Sequence, residues 1–536
     1  MKTYSREQFV KDVTAGIIVA IIALPLSIAL ALASGVGPEA GIFTAIVAGF
    51  VISALGGSSV QIAGPTAAFA TIVAGIVAKN GLDGLVIATI LAGIFLILMG
   101  LCHFGTLIRF IPYTITTGFT AGIAVTIVIG QLKDFFGVTY PDGVKPIETM
   151  EKLHAFVENC GTVNLSAVIV GVVSLVILII SPYIFKKIPG SLLAVVAGIL
   201  MVKFLPLKAS TIGDLYSISN ALPGFHLPAL SLAAVKDAIP NAFTIAVLAA
   251  IESLLSCVVA DGMINGKHRS DMELVAQGAG NIASALFGGI PATGAIARTA
   301  ANIKNGGRTP ITGMVHSITL VLVLVVLMPY AGMIPMPTIA AILFVVAYNM
   351  CQWRPFAHLI QTAPKSDILV LLVTFFLTVV FDLVVAIEIG MLLTCLLFMK
   401  RMSDETHVDS WTYVDDDSDA VNDHMQKLAK EIRVYEITGP LFFGAANAIE
   451  HIVVKDFTKC LVLRMRSVPA LDSTAMNALQ NLVKYCEAKG ITPIFSHVNE
   501  QPMHVMEKAG FVELVGKDNF CANISDALKR AEELIK

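Results

Sequence analysis

One carboxylate and one guanidinium lie in segments that are otherwise apolar. Glu252 falls within residues 239–260, which read IPNAFTIAVLAAIESLLSCVVA. Arg298 falls within residues 288–303, GGIPATGAIARTAANI, a stretch interrupted by glycine and proline. A charged side chain at the centre of a bilayer costs at least about 2.5 kcal/mol, so such residues are typical of functional sites. An acid and a base in separate membrane segments indicate a chain that moves a charged solute.

Composition defines the class of protein. The chain has 536 residues, of which 56% are hydrophobic and 14% charged, and its mean hydropathy is +0.80. Soluble domains carry about 25% charged residues, so this composition predicts a polytopic membrane protein. Apolar runs of spanning length fill the chain up to about Lys400 and then give way to charged sequence. We therefore predict a transmembrane domain over residues 1–402, an acidic linker over 403–430 and a soluble domain over 431–536.

Several function classes are excluded by the same data. The net charge of −3 gives no support for nucleic-acid binding. The 8 cysteines are scattered without metal-ligand or redox spacing, so neither a metal nor another cofactor is expected. There is no Walker motif, which argues against ATP as the driver, and no covalent catalysis is expected. The first apolar run is too long for a cleavable signal and is predicted to be the first span.

Flanking positive charge predicts the topology. Lys2, Arg6 and Lys11 precede the first span and place the N-terminus in the cytoplasm. A further basic cluster, Lys186–Lys187, is also placed inside, whereas the polar loops 133–164 and 206–237 are placed outside. The apolar runs between them number about fourteen, with seven on each side of the second loop. The soluble tail is then cytoplasmic as well.

Two interrupted segments occupy corresponding positions in the two halves. Residues 58–76 (SSVQIAGPTAAFATIVAGI) and residues 288–303 both open with a Gly/Pro-broken piece and continue as an Ala/Thr-rich run. Aligning Thr66 with Gly294 places both at the third span of their half. Because each half has an odd number of spans, the halves must run in opposite directions, which predicts an inverted repeat.

Such interruptions predict a binding site for an anion. A helix that begins inside the membrane leaves its first N–H groups unpaired and points its positive end at the centre. Two such ends facing each other form an anion site, and Arg298 adds a full positive charge. The alternative is that both interruptions are packing kinks without a ligand.

Long stretches of the chain resemble the sulfate permease (SulP) family of anion transporters. The similarity covers IIALPLSIALALASGVGPEAGIFTAIVAGFVISALGGSSVQIAGPTAAF near the N-terminus, IESLLSCVVADGM, ELVAQGAGNIASALFGGIPATGAIARTAANIKNGGRTPITGM and FDLVVAIEIGM (residues 381–391). The motifs occur in the family's order along the whole chain. The tail resembles a STAS domain.

The resemblance implies a fold and a set of site residues. The fold is an all-α domain of fourteen segments in two inverted seven-segment repeats, in which a core unit moves against a gate unit, followed by a small α/β STAS domain. The implied substrate contacts are Leu24, Pro25 and Leu26 at a break in the first span, Thr66, Ala67, Ala68 and Phe69 at the first half-helix, and Gly294, Ala295, Ile296, Ala297 and Arg298 at the second.

Glu252 is the predicted coupling residue. In the main hypothesis its carboxylate takes up and releases a proton during the cycle. In an alternative, Glu252 and Ser256, one turn further on, ligate Na⁺. In a third, Glu252 and Arg298 form a permanent ion pair that only holds two spans together.

The function that follows is secondary active transport of a small anion, by alternating access, in a bacterial plasma membrane. Family members include sulfate, bicarbonate and C4-dicarboxylate transporters, and Glu252 with the PATGAIART string (residues 291–299) favours the proton-coupled branch. A homodimer is expected from the resemblance. The alternatives are a sodium-coupled bicarbonate symporter, a channel-like anion conductor, and a membrane-anchored regulator whose tail binds partners.

The tail reads as a small α/β domain. Strand-like IRVYEITGPLFFG, CLVLRMRSV and ITPIFSHVN alternate with helix-like stretches, NALQNLVKYCEAKG and one from about Met503. The loop before the first of these helices resembles the STAS signature, in which a serine is a phosphorylation candidate. Here that residue is Ser473, which is interpreted first as the N-cap of the helix. A cytoplasmic partner for this domain is a further expectation.

Overall fold

The computed structural model describes residues 4–106, 112–141, 144, 146–184, 189–219, 221–228, 231–381, 383–410, 429–445, 449 and 452–536. These residues form two compact units, Met1–Met391 and Leu392–Lys536. Residue 402, where the sequence places the end of the membrane domain, lies within the second unit. The basic pair Lys186–Lys187, Asp382 and residues 411–428 of the predicted linker lie outside the described residues.

The first half of the first unit consists of helices and one short strand. Its elements are α1 (Arg6–Ala33), α2 (Pro38–Leu55), β1 (Ala63–Gly64), α3 (Ala67–Leu101), α4 (Tyr113–Phe136), α5 (Thr149–Glu158), α6 (Leu165–Ile184), α7 (Gly190–Phe204) and α8 (Ile212–Leu215).

The second half repeats this order of helix, helix, short strand and helix. Its elements are α9 (Leu232–Ile264), α10 (Ser270–Leu286), β2 (Thr293–Gly294), α11 (Ile296–Lys304), α12 (Ile311–Ala331), α13 (Met336–Cys351), α14 (Trp353–Thr362), α15 (Lys365–Val380) and α16 (Leu383–Asp404), which continues into the second unit.

Eight helical stretches among the described residues are long and apolar enough to cross a membrane. They are α1, α2, α3, α4, α6, α9, α12 and the stretch Met336–Thr362 that contains α13 and α14. The predicted fourteen spans would therefore have to include shorter helices such as α7. They would also divide α3 in two, because Gly81 has φ 69° and ψ −172° and breaks the helix into two arms.

Local sequence explains where the long helices begin and end. The Ser5 and Ser231 side chains accept hydrogen bonds from the backbone N–H groups of Gln8 and Ala234, capping α1 and α9. Gly137 ends α4 in the left-handed conformation with φ 62°, which costs glycine little.

The helices of the first unit pack in two groups. In one group α3 packs on α9 and α10, α2 packs on α10 and α12, and α1 packs on α12. In the other group α4 packs on α13 and α15, and α6 packs on α7 and α13. The family resemblance implies a core unit and a gate unit, and a division into two packing groups is compatible with that expectation. Both interrupted segments lead into helices of the first group, since α11 packs on α9 and α1.

The second unit contains a five-stranded sheet. Its strands are β3 (His407–Ser410), β4 (Ile432–Thr438), β5 (Cys460–Ser467), β6 (Thr492–Ser496) and β7 (Phe520–Cys521), in the order β3-β4-β5-β6-β7. Strands β4 to β7 are parallel, and β3 is antiparallel to β4. The helices are α17 (Ser473–Ala488), α18 (Glu500–Lys508), α19 (Phe511–Val515) and α20 (Ile524–Ile535).

The sheet is covered on both faces because side chains alternate along β5. Leu461 and Leu463 join the hydrophobic cluster that includes α17, whereas Cys460 and Val462 join the cluster that includes Ala527 of α20. The α/β character predicted for the tail is confirmed.

Two details of the tail differ from the sequence predictions. Residues 407–410, assigned to the linker because they are polar, form the edge strand β3, which gains its stability from backbone pairing with β4. Asp472, rather than Ser473, is the N-cap of α17, since its side chain accepts a hydrogen bond from the Ala475 N–H at 2.8 Å. Ser473 is the exposed first residue of the helix.

Candidate functional site

Two helices of the first unit begin directly after a pair of short strands that lie side by side. Strands β1 and β2 pair antiparallel, with Ala63 opposite Gly294 and Gly64 opposite Thr293. Helix α3 begins at Ala67 and α11 at Ile296, directly after these strands. The Ala295 N–H also donates to the Ile62 carbonyl at 2.9 Å. The first N–H groups of both helices therefore originate from one place, as expected for a pair of interrupted segments.

The register of the two segments differs slightly from the sequence alignment. The residue before the first helical position is Thr66 in α3 and Ala295 in α11. In the structure Thr66 therefore corresponds to Ala295, so the alignment of Thr66 with Gly294 that the sequence pattern suggested is wrong by one residue. The proline between β1 and α3, Pro65, has no counterpart after β2 and accounts for the difference.

Glu252 lies at the start of α3. Its Oε2 accepts a hydrogen bond from Thr66 Oγ1 at 2.8 Å, and both side chains are partly exposed. Ser256, one turn further along α9, is buried and its Oγ lies 3.5 Å from Thr299 Oγ1 on α11. Helix α9 therefore contacts both half-helices.

Arg298 is buried with few partners. Its side chain is 1% exposed, and Nη2 donates to Ser27 Oγ at 3.2 Å and to the Pro65 carbonyl at 3.3 Å. Nε and Nη1 have no hydrogen-bond partner among the described residues. No carboxylate oxygen of the described chain lies within 4.0 Å of this guanidinium, so the alternative of a Glu252–Arg298 ion pair is not what the structure contains. A buried cation without a counter-charge makes the site electropositive.

The predicted break in the first span does not occur. Helix α1 continues from Arg6 to Ala33 through Pro25. Proline removes one backbone donor, but its φ is compatible with a helix, and the neighbouring turns keep their hydrogen bonds. Pro25 is buried, and Leu24 and Leu26 are partly exposed. The contact between α1 and the site is made instead by Ser27, through Arg298.

The predicted substrate-binding residues divide into accessible and packed sets. The accessible or partly accessible members are Leu24, Leu26, Thr66, Ala295, Ile296 and Ala297. The buried members are Pro25, Ala67, Ala68, Phe69, Gly294 and Arg298. Ile296 is 42% exposed, whereas Phe69 is fully buried. Open space therefore lies next to the first residues of α11, while Phe69 anchors α3 in the core.

Glu273 on α10 organises the loop before β1, a role that was not predicted from the sequence. Its Oε2 accepts hydrogen bonds from the backbone N–H groups of Gly57 and Ser58 at 2.9 and 3.1 Å. Its Oε1 accepts from Gln61 Nε2 at 2.8 Å and from Gln277 Nε2 at 2.9 Å. Because the group is fully buried and all four contacts are donors, it fixes the approach of the chain to β1.

Gln61 and Asn281 complete this scaffold. Gln61 Oε1 accepts from Cys257 Sγ at 2.7 Å, which connects the loop to α9. Asn281 exchanges two hydrogen bonds with the backbone of Ala292, which leads into β2. The sequence could have predicted this scaffold, because Glu273, Gln277 and Asn281 are spaced four residues apart. On a helix this spacing places three polar side chains on one face of α10.

The described residues contain no group of three or more His, Cys, Asp or Glu side chains arranged to hold a metal ion. The site as described consists of two helix N-termini, one buried guanidinium, one carboxyl group and several hydroxyls. These groups suit a small anion, which needs N–H and O–H donors and positive potential.

Comparisons with known proteins place both units of the chain in described families. The family model described as the sulfate permease family matches residues 9–374, and the STAS domain model matches residues 426–527. The chain is 40% identical to a putative sulfate transporter, YvdB, of Bacillus subtilis, over 97% of each chain. It is 31% identical to the bicarbonate transporter BicA of Picosynechococcus, over 97% of this chain and 94% of that one.

Solved structures share the fold. The murine SLC26A9 anion transporter in the inward-facing state has a TM-score of 0.88 at 18% identity, with coverage of 99% of this chain and 93% of that chain. The transmembrane domain of a cyanobacterial BicA has a TM-score of 0.64 at 30% identity, with coverage of 72% of this chain and 98% of that chain.

The fold, the site and these relatives define a membrane-embedded, multi-pass transporter of anions with a C-terminal STAS domain. The chain belongs to the sulfate permease family. Its relatives are named as transporters and not as enzymes.

Proposed function

We propose that this protein is a proton-coupled secondary active transporter of a small oxyanion, namely sulfate, bicarbonate or a C4-dicarboxylate. The anion binds between the N-termini of α3 and α11 and crosses by alternating access. The transporter lies in a bacterial plasma membrane as a homodimer, with both termini in the cytoplasm.

The observation that carries this proposal is the convergence of two helix N-termini near a buried guanidinium that has no carboxylate partner among the described residues. Ala67 and Ile296 open helices from one pair of strands. Arg298 is 1% exposed, and its Nε and Nη1 lack partners among the described residues. An oxyanion would supply the acceptor atoms and the negative charge that these donors lack.

Glu252 supports coupling to protons. Its carboxyl group is hydrogen-bonded to Thr66, the residue that precedes α3, so its charge lies next to the proposed anion. A carboxylate at this place repels an anion, whereas a protonated carboxyl does not. Binding of a proton and of the anion would therefore favour each other.

Sodium-coupled bicarbonate transport is the second candidate. Ser256 Oγ, on the same helix as Glu252, lies 3.5 Å from Thr299 Oγ1 of α11. Hydroxyl and carboxylate oxygens are ligands for hard cations. The identity of 31% to a bicarbonate transporter adds weight to this substrate.

The test reconstitutes the purified protein in proteoliposomes and measures the uptake of sulfate, bicarbonate, fumarate and succinate. The pH gradient and the sodium gradient are imposed separately. We expect one of these anions to accumulate above its electrochemical equilibrium when the pH gradient alone is present. Accumulation that requires the sodium gradient would favour the second candidate. Flux that never exceeds equilibrium would favour channel-like conduction, and no flux of any anion would favour a regulatory role.

A further inference from the structure

Helix α14 (Trp353–Thr362) connects α13 to α15 without burying any of its side chains. Both α13 and α15 pack on α4, and α14 packs on α4 as well. None of the 10 residues of α14 is buried. Gln352, with φ 46° and ψ 45°, has the left-handed conformation and separates α14 from α13. The chain therefore changes direction at Gln352, and α14 is not a continuation of α13.

The neighbours of α14 determine its depth in the membrane. Helices α13 and α15 are apolar and have 16 residues each. Each is about 24 Å long, which approaches the roughly 30 Å of a hydrocarbon core. A 10-residue helix is only about 15 Å long, so α14 cannot cross the bilayer between them. We infer that α14 lies at the membrane surface where α13 ends and α15 begins.

The two faces of α14 differ in polarity. Trp353, Phe356 and Ile360 follow a helical spacing and lie on one face. Arg354 and His358 lie on the opposite face, one turn apart. Trp353 is 49% exposed and Ile360 is 39% exposed, so the described residues leave part of the apolar face uncovered. A helix with an apolar face and a basic face is typical of segments that lie in a membrane interface.

Aromatic contacts show which way the apolar face is turned. Phe356 packs on Phe375 of α15, with ring centroids 5.4 Å apart, so this face is directed toward a helix of the membrane domain. Trp353 Nε1 donates to Tyr348 Oη at 3.2 Å, and both rings are exposed at the end of α13. Tryptophan and tyrosine are enriched at the boundary between bilayer and water. The pair therefore marks this boundary at the start of α14.

The polar side of this segment is basic. The Arg354 guanidinium lies over the Trp353 ring, 5.5 Å from its centroid, and Lys365 is exposed at the first position of α15. Neither forms an ion pair with a carboxylate of the described residues. The nearest acid along the sequence, Asp367, accepts a hydrogen bond from the Ser366 hydroxyl at 3.1 Å in the first turn of α15. The segment from Trp353 to Asp367 has two bases and one acid and is therefore net positive.

We propose that α14 lies in the cytoplasmic leaflet, with its apolar face among the acyl chains and with Arg354 and Lys365 on the phosphates of anionic lipids. The excess of basic residues in cytoplasmic loops assigns this segment to that side, and anionic lipids attract basic residues there. The partner is therefore a negatively charged lipid surface, bound by the helix group that contains α4, α13 and α15. The proposal uses the cytoplasmic orientation of the proposed function, but it does not depend on the transported anion.

Trp353 can report its own depth in the bilayer. Trp411, the only other tryptophan of the sequence, lies outside the described residues and is removed by Trp411→Phe. This full-length protein is reconstituted in phosphatidylcholine that carries bromine either on the upper or on the lower half of its acyl chains. The upper bromine should quench Trp353 emission at least about twofold more, because an interfacial helix penetrates only about 5–10 Å. Absence of quenching, or stronger quenching by the lower bromine, would overturn the proposal.

Headgroup preference tests the role of the basic residues. In equal mixtures of phosphatidylglycerol and phosphatidylcholine, only one of the two lipids is brominated at a time. At low ionic strength, brominated phosphatidylglycerol should quench Trp353 at least about twofold more than brominated phosphatidylcholine. Arg354→Gln combined with Lys365→Gln should remove this preference and retain the depth profile. Lys267→Gln, which removes an exposed lysine between α9 and α10, is the matched control and should retain both.

Equal quenching by the two lipids in the single-tryptophan protein would overturn the binding of anionic lipids. A preference that survives the loss of both Arg354 and Lys365, or that disappears in Lys267→Gln, would do the same. Neither measurement uses transport. A protein that carries none of the tested anions would therefore contradict the proposed function, while the quenching still reports on α14.

Discussion

Gln61 Nε2 donates to Glu273 Oε1 at 2.8 Å, and this contact joins the loop before β1 to α10. The same amide accepts from Cys257 Sγ of α9 at 2.7 Å. A Cβ at Gly294 of β2 would collide with the Gln61 amide, so the two are in direct contact. One side chain therefore touches three of the elements that hold the helix N-termini in place.

Gln61→Ala should reduce both stability and transport. The substitution leaves Glu273 Oε1 with one donor in place of two, and the loss of one buried hydrogen bond costs about 1 kcal/mol. We expect a lower thermal midpoint for the purified protein and a lower kcat for uptake. Cys257→Ala is the matched control, since it removes a weak S–H donor and keeps the bond to Glu273; its midpoint should remain close to that of wild type. A Gln61→Ala protein with unchanged midpoint and kcat would contradict this role.

Gly64→Ala should impair transport while the protein still folds. A Cβ at this position would collide with Arg298 Nη1, the far end of a flexible side chain, so the guanidinium moves and the backbone need not. The displaced group would lose Ser27 and the Pro65 carbonyl. We expect at least a tenfold fall in uptake with normal expression and a monodisperse elution profile.

Gly130→Ala provides the comparison for that substitution. A Cβ at Gly130 meets no atom within 4 Å, and alanine is the better helix former, so uptake should stay at the wild-type level. Equal uptake by the Gly64→Ala and Gly130→Ala proteins would show that the position of Arg298 is not critical.

The sequence predicts the parts of the site where glycine and proline interrupt a helix. Glycine and proline around Pro65 and before Ala295 predicted two broken segments, and the structure has a strand and a helix start at each. The α/β character of the tail was predictable for a similar reason, since the alternation of strand-like and helix-like stretches is a local signal.

The features that escaped the sequence analysis depend on contacts between distant residues. Ser27 meets Arg298 across 271 positions, and Glu273 accepts N–H groups more than 200 positions away. Pro25 suggested a break that the packed helix does not have. The polar strand His407–Ser410 resembled a linker because its stability comes from pairing with β4.

Asp472→Ala should loosen the start of α17 in the second unit. The Asp472 carboxylate accepts from the Ala475 and Phe443 N–H groups, each at 2.8 Å. Removal of an N-cap costs about 1 kcal/mol, so both amides should exchange several-fold faster with deuterium in the full-length protein. Ser473→Ala should leave both rates unchanged, since the serine does not cap the helix. Faster exchange in Ser473→Ala than in Asp472→Ala would reverse the assignment of the cap.

Glu252→Gln should abolish accumulation driven by a pH gradient. Glutamine has nearly the same shape and still accepts the hydrogen bond from Thr66 Oγ1, but it cannot exchange a proton. Anion exchange at equal concentrations should therefore persist, while uphill uptake on imposing an acidic exterior should be lost. Glu388→Gln removes an exposed carboxylate of α16 and should accumulate anion as wild type does. If Glu252→Gln retains pH-driven accumulation, the proton pathway lies elsewhere. If it loses sodium-driven accumulation instead, Glu252 is a ligand for that cation.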